Sequence, residues 1–257
     1  MTEAEWAVCT DPTIMLEFLR GKASDRKLRL LAVACYRRIW HLLSDQADSR
    51  KTLEFAERFA DGLATRTELH GRAWGKPGNA FSAVLYEAWA AAENSLGFAA
   101  GTAKEAVLRL DPEKYKKREA TLQAAWANNS LGEAVRIADD AMPGEWMAKG
   151  RSAWMQERAG QCNLIREVFG SLCFRAVYCD PSCFTPEVTN EAEAIYDARA
   201  FDRLPVLADA LEEAGCQDAA ILDHCRHLGT HVRGCWVIDL LLSKGGCDEA
   251  GRLVGLH

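Results

Sequence analysis

The chain has 257 residues, 49% of them hydrophobic and 26% charged, with a formal net charge of −6. That length and balance exclude a disordered or collagen-like chain and allow a sizeable buried core. No apolar stretch reaches the roughly 18 residues that span a bilayer, the Cys235 to Leu242 run being among the longest, so no membrane role is expected.

Helix signals follow one another along the chain, while strand alternation hardly appears. Thr2 and Glu5 stand at capping-box spacing, and Asp11-Pro12 starts a second helix that Gly21 stops. A helix over about 25–43 comes next, with Leu28, Leu31, Ala32, Cys35, Ile39 and Leu42 on one stripe. A block over 46–60 halts at Gly62, Thr65 and Glu68 predict a short helix to Trp74, and Gly75-Lys76-Pro77-Gly78-Asn79 is a loop. Residues 80–110 are alanine-rich, with Gly97 and Gly101 as break points. Asp111-Pro112, Asn128-Asn129-Ser130 and Met142-Pro143-Gly144 punctuate the next stretch, and a helix over 145–169 stops at Gly170. Residues 171–185 carry no helical stripe and predict an ordered loop. Thr185-Pro186 then opens a helix to Arg199, followed by helices over 202–214, 217–227 and 234–244. The expectation is an all-α fold of about ten helices in one domain over 1–257. The irregular loop near 171–185 is the place to divide it, into 1–170 and 186–257.

The amino terminus, Met-Thr-Glu-Ala-Glu-Trp, lacks the basic flank and apolar run of an export signal, so a cytoplasmic location is expected. Ten cysteines in such a chain read as buried thiols or metal ligands rather than disulfides. Charge is uneven: residues 20–51 carry nine basic and three acidic side chains, and residues 183–257 carry six basic and thirteen acidic. Either these ends attract one another across the fold or they face water.

The densest chemistry runs from Asp223-His224-Cys225-Arg226-His227 through His231 and Cys235 to Asp239. Ligands four residues apart can share a helical face, making His227, His231 and Cys235 the candidate metal ligands, with Cys179 and Cys183 available from the loop. Gly229 and Gly234 interrupt that spacing, which matches no zinc signature, so no cofactor is expected and zinc is the one ion left open. Cys225 or Cys235, with His224 or His231 and Asp223 or Asp239, would supply the residue types of a thiol nucleophile. No nucleophile elbow, phosphate loop, dinucleotide fingerprint or His-Glu-x-x-His helix is present, and no catalytic residue is assigned. Arg26, Arg29, Arg37 and Arg38, beside Tyr36, Trp40 and His41, are the candidate nucleic-acid surface, with RNA the expected ligand. Among eight tryptophans, Trp89 and Trp154 are the candidate protein-binding anchors.

Both ends resemble a known family. At the front the resemblance lies in Met1 to Trp6, Asp11-Pro12, Met15-Leu16-Glu17-Phe18-Leu19-Arg20-Gly21, Ser24-Asp25-Arg26-Lys27-Leu28-Arg29-Leu30 and Arg37-Arg38-Ile39-Trp40. At the back it lies in Ala200-Phe201-Asp202-Arg203-Leu204-Pro205, Ala208 to Cys216, and His231-Val232-Arg233-Gly234-Cys235-Trp236-Val237-Ile238-Asp239-Leu240-Leu241-Leu242. These strings resemble uncharacterised, multi-copy proteins of planctomycete bacteria, and cover about half the chain. Cys35-Tyr36 stands where the family would have paired cysteines. The resemblance implies a bacterial, intracellular protein with two distinct ends, and nothing about reaction or substrate. The expected function is a non-enzymatic, macromolecule-binding one, as a protein-protein adaptor or accessory subunit. The alternatives are a metal- or thiol-dependent enzyme using the C-terminal Cys/His cluster, or an RNA-binding protein using the basic front helix.

Overall fold

Side-chain caps set most of the helix starts. In the computed structural model, which describes residues 1–43, 47–65, 67–68, 88–170, 172–174, 177 and 179–244, Thr2 and Glu5 form a reciprocal capping box on α1 (Glu3–Val8). Asp11 caps α2 (Pro12–Phe18) and Ser24 caps α3 (Asp25–Arg38). Their oxygens satisfy amide protons that the first helical turn leaves without a backbone acceptor. Then come α4 (Ala47–Ala60), α5 (Ala88–Leu108), α6 (Pro112–Trp126) capped by Asp111, and α7 (Leu131–Asp140) capped by Ser130. The longest helix among the described residues, α8 (Gly144–Phe169), precedes a stretch whose described residues include the 3₁₀ turn Pro181–Cys183. Thr185 caps α9 (Pro186–Ala198), α10 (Leu204–Glu213) holds Pro205 in its first turn, and Asp218 caps α11 (Ala219–Arg226) before α12 (Trp236–Leu241). The fold is all-α, with no strand among the described residues.

Three elements differ from expectation. The basic helix ends at Arg38, and Trp40–Leu42 form a 3₁₀ turn. Gly97 and Gly101 do not break α5, which packs along α8 and α3; tertiary contact outweighs the helix cost of glycine. The last helix is shorter than 234–244, because Gly234 turns the chain at φ +95 and Ser243 takes φ +52. Trp74, Cys247 and the 75–79 loop lie outside the described residues.

α3 is the axis, packed against α4, α5 and α8. Every residue from Lys27 to Tyr36 is buried, so this helix is enclosed on nearly all sides rather than along one stripe. One apolar cluster gathers α1 to α5 and α8; a second gathers Val177, Cys179, Cys183 and α9 to α12; Leu172 packs against both.

Charged side chains of α3 join the two clusters. The buried Lys27 ammonium donates to the Val168 and Gly234 carbonyls, at 2.9 Å each, and pairs with Asp239 at 2.6 Å. All three of its protons are thereby used. Arg26 reaches Asp239 at 2.7 Å, Asp61 at 3.1 Å and the Tyr196 hydroxyl at 2.8 Å. The opposite charges of the two ends therefore meet inside the fold, where α8, α12 and the turn between α11 and α12 are pinned to α3. Gly170 closes α8 at φ +53, and a Cβ there would lie 2.7 Å from Trp236 Cδ1.

Candidate metal centre

Three separate stretches of chain converge where α8 ends. Glu167 lies in the last turn of α8 and His224 on α11. The α11 helix stops because His227 adopts extended backbone (φ −69, ψ 128), and the following segment returns His231 and Cys235 to the same place. One donor atom from each of Glu167, His224, His231 and Cys235 falls within 4.8 Å of the other three. His224 Nε2 is 3.2 Å from Cys235 Sγ and 3.3 Å from Glu167 Oε2, and His231 Nδ1 is 3.0 Å from Glu167 Oε2. A tetrahedron built on ordinary zinc bond lengths has edges of about 3.3–3.5 Å.

The hydrogen bonds around these groups assign their protons. Trp236 Nε1 donates to His224 Nδ1 at 3.0 Å, and because an indole N–H only donates, the His224 proton sits on Nε2 and faces the cluster. His231 Nε2 donates to the His227 carbonyl at 2.8 Å, leaving Nδ1 for Glu167. That carbonyl is the kind of outer partner that orients metal-binding imidazoles. Burial pushes the Glu167 carboxyl up, but hydrogen bonds from His224 and His231 and the charge interaction with His231 outweigh it and hold the group at about 2. Burial pulls His231 down, and its hydrogen bond and charge interaction with Glu167 more than reverse this, so its pKa is raised.

Cys235 and His224 have the contact of a thiol-imidazole pair, yet Cys235 is fully buried and burial drives its pKa well up. A nucleophilic thiol needs access and a depressed pKa, so the arrangement does not suit covalent catalysis.

Of the ligands expected from spacing, His231 and Cys235 belong to this group and His227 does not. Its exposed side chain lies outside, and it contributes only its carbonyl, because residues 227–231 are not helical and the four-residue rule fails. Cys179 and Cys183 form a separate group with Cys216. Glu167 was missed; its one sequence signal is a carboxylate three residues after Leu164 on the buried side of α8.

The candidate nucleic-acid arginines are engaged internally. Arg26 pairs with Asp239 and Asp61, Arg37 with Glu57 and Arg38 with Glu157, while Arg29 is buried with its guanidinium over the Phe59 ring. Phosphate would have to displace carboxylates from three of them. Trp89 is partly buried against the first cluster with Arg20 over its ring, whereas Trp154 is 36% exposed. No helix among the described residues is long and apolar enough to cross a membrane.

No protein-family model, curated protein or solved structure matches the chain.

Proposed function

We propose that the protein binds one zinc ion through Glu167, His224, His231 and Cys235, and that the ion fastens the 224–235 segment to the end of α8. The supporting observation is the convergence of four donors from three stretches of chain within 4.8 Å. A thiolate with two imidazoles favours zinc over hard cations. Four protein donors complete a tetrahedron and leave no open position for water or substrate, so the ion's role is structural and the site is not that of an enzyme.

Cobalt(II), added to the full chain as a spectroscopic substitute for zinc, tests this. One equivalent should give the intense visible absorption of a tetrahedral site together with a thiolate charge-transfer band. Cys235→Ser should abolish that band. His231→Ala should weaken binding by more than the roughly 10–100-fold that loss of an outer partner costs, and His227→Ala should change little. A weak octahedral spectrum, or one untouched by Cys235→Ser, would contradict the site.

A second reading, as a protein-protein adaptor, rests on a different surface. Trp154 lines a groove of about 290 Å³ with Lys104, Asp139, Asp140, Met147 and Arg151, and the neighbouring Met155 is 60% exposed. A tryptophan set among mixed charges is the chemistry of a protein-binding anchor. Trp154→Ala should weaken a protein partner while changing stability by no more than about 0.5 kcal/mol. A cooperative loss of stability in that variant would instead make the ring a packing element.

A further inference from the structure

The second gathering of donors is chemically unlike the first. Cys179, Cys183 and Cys216 bring their three sulfurs within 4.8 Å of one another, and among the described residues the group contains thiols alone. Two capped turns hold them. Asp180 Oδ1 accepts from the Ser182 amide at 2.9 Å and from its hydroxyl at 2.7 Å, fixing the 3₁₀ turn with Cys179 before it and Cys183 at its end. Across from it Gly215, at φ +91, terminates α10, and the Cys216 amide donates back to the Leu211 carbonyl at 2.9 Å. The three residues are 1%, 1% and 5% exposed and sit in the second apolar cluster.

We infer that Cys179, Cys183 and Cys216 form a second metal site, distinct from the Glu167 centre, that takes Cu(I) in a three-sulfur shell. Sulfur-only donors select soft cations. Structural zinc takes four protein ligands, whereas the described residues supply three here. A d¹⁰ monovalent cation is content with three sulfurs. Binding changes no oxidation state: the S–H bond of each ligand that becomes a thiolate breaks, its proton leaves to solvent, and a sulfur-copper bond forms.

Cu(I) supplied anaerobically as a chelator complex to the full chain tests the inference. The protein should withdraw one equivalent, and Cys216→Ser or Cys183→Ser should reduce that retention at least ten-fold. Cys173→Ser, outside the group, should retain it, as should His231→Ala, which separates this site from the zinc centre. X-ray absorption of the wild-type copper protein needs no variant to fold and should show three sulfurs and no nitrogen or oxygen. Return of all copper to the chelator, a shell containing nitrogen, or retention of zinc in place of Cu(I) by these three cysteines would overturn it.

Discussion

Lys27 is the residue whose removal should be felt most widely, because its ammonium is bonded at once to Val168, Gly234 and Asp239. Lys27→Met leaves a buried carboxylate short of one partner and should cost about 3–5 kcal/mol by denaturant unfolding. The double variant Lys27→Met with Asp239→Leu should recover part of that loss, a non-additivity that measures the pair. Asp239 also sets an acid limit. Burial raises its pKa, but Lys27 and Arg26 outweigh burial and hold it below the ordinary value. A depressed carboxylate contributes stability above its unfolded pKa of about 3.9 and loses it as pH falls through the lower folded value. The stability gap between wild type and Asp239→Asn should therefore be full at neutral pH and close as pH falls below about 4. A gap independent of pH would contradict this. Trp236 offers a sharper residue test, since zinc at His224 Nε2 moves the ring proton to Nδ1, where it meets the indole N–H. Trp236→Phe removes that conflict and should tighten metal binding, by roughly ten-fold for one relieved buried donor; weaker binding would mean that the indole assists. Asp239 was visible as one acid in the most apolar segment, but nothing in the spacing of α3 distinguished Lys27 from the other basic residues of that helix.

Among the elements, α8 supplies Glu167 and the helix end at which the other donors converge. Its end is fixed by Gly170, whose φ of +53 and close approach to Trp236 leave no room for a side chain. Gly170→Ala should cost about 1–3 kcal/mol from backbone strain alone, with further loss from the displaced indole. A thermal midpoint unchanged in that variant would show that the helix end adjusts freely. Helix starts were legible in the sequence because Thr2, Asp11, Asp111 and Thr185 act within three residues of their own positions. The candidate site was legible only in part. His231 and Cys235 stood out as metal-ligand types, but choosing His227 over His224 depended on where α11 stopped. Glu167 comes from a helix 57 residues before His224, a separation that periodicity does not bridge. The partners of the α3 arginines were illegible for a related reason, since the carboxylates paired with them lie on other elements, as with Glu57 on α4 and Glu157 on α8.

At the scale of the molecule, two apolar clusters are joined by Arg26 and Lys27 on one side and, in the proposed account, by zinc on the other. A ligand that binds only the folded state stabilises it by mass action, by about 4 kcal/mol when present at 1,000 times its dissociation constant. Removing zinc should therefore lower the unfolding midpoint and loosen residues 224–235 first, with hydrogen exchange rising there before it rises in α3. The central claim is tested most directly by elemental analysis of the native 257-residue chain, purified without chelator and without a histidine tag. The account predicts about one zinc per chain, falling to background in His224→Ala and Cys235→Ser and kept in His227→Ala. Folded wild-type protein that carries no zinc and takes up none when it is supplied would contradict it.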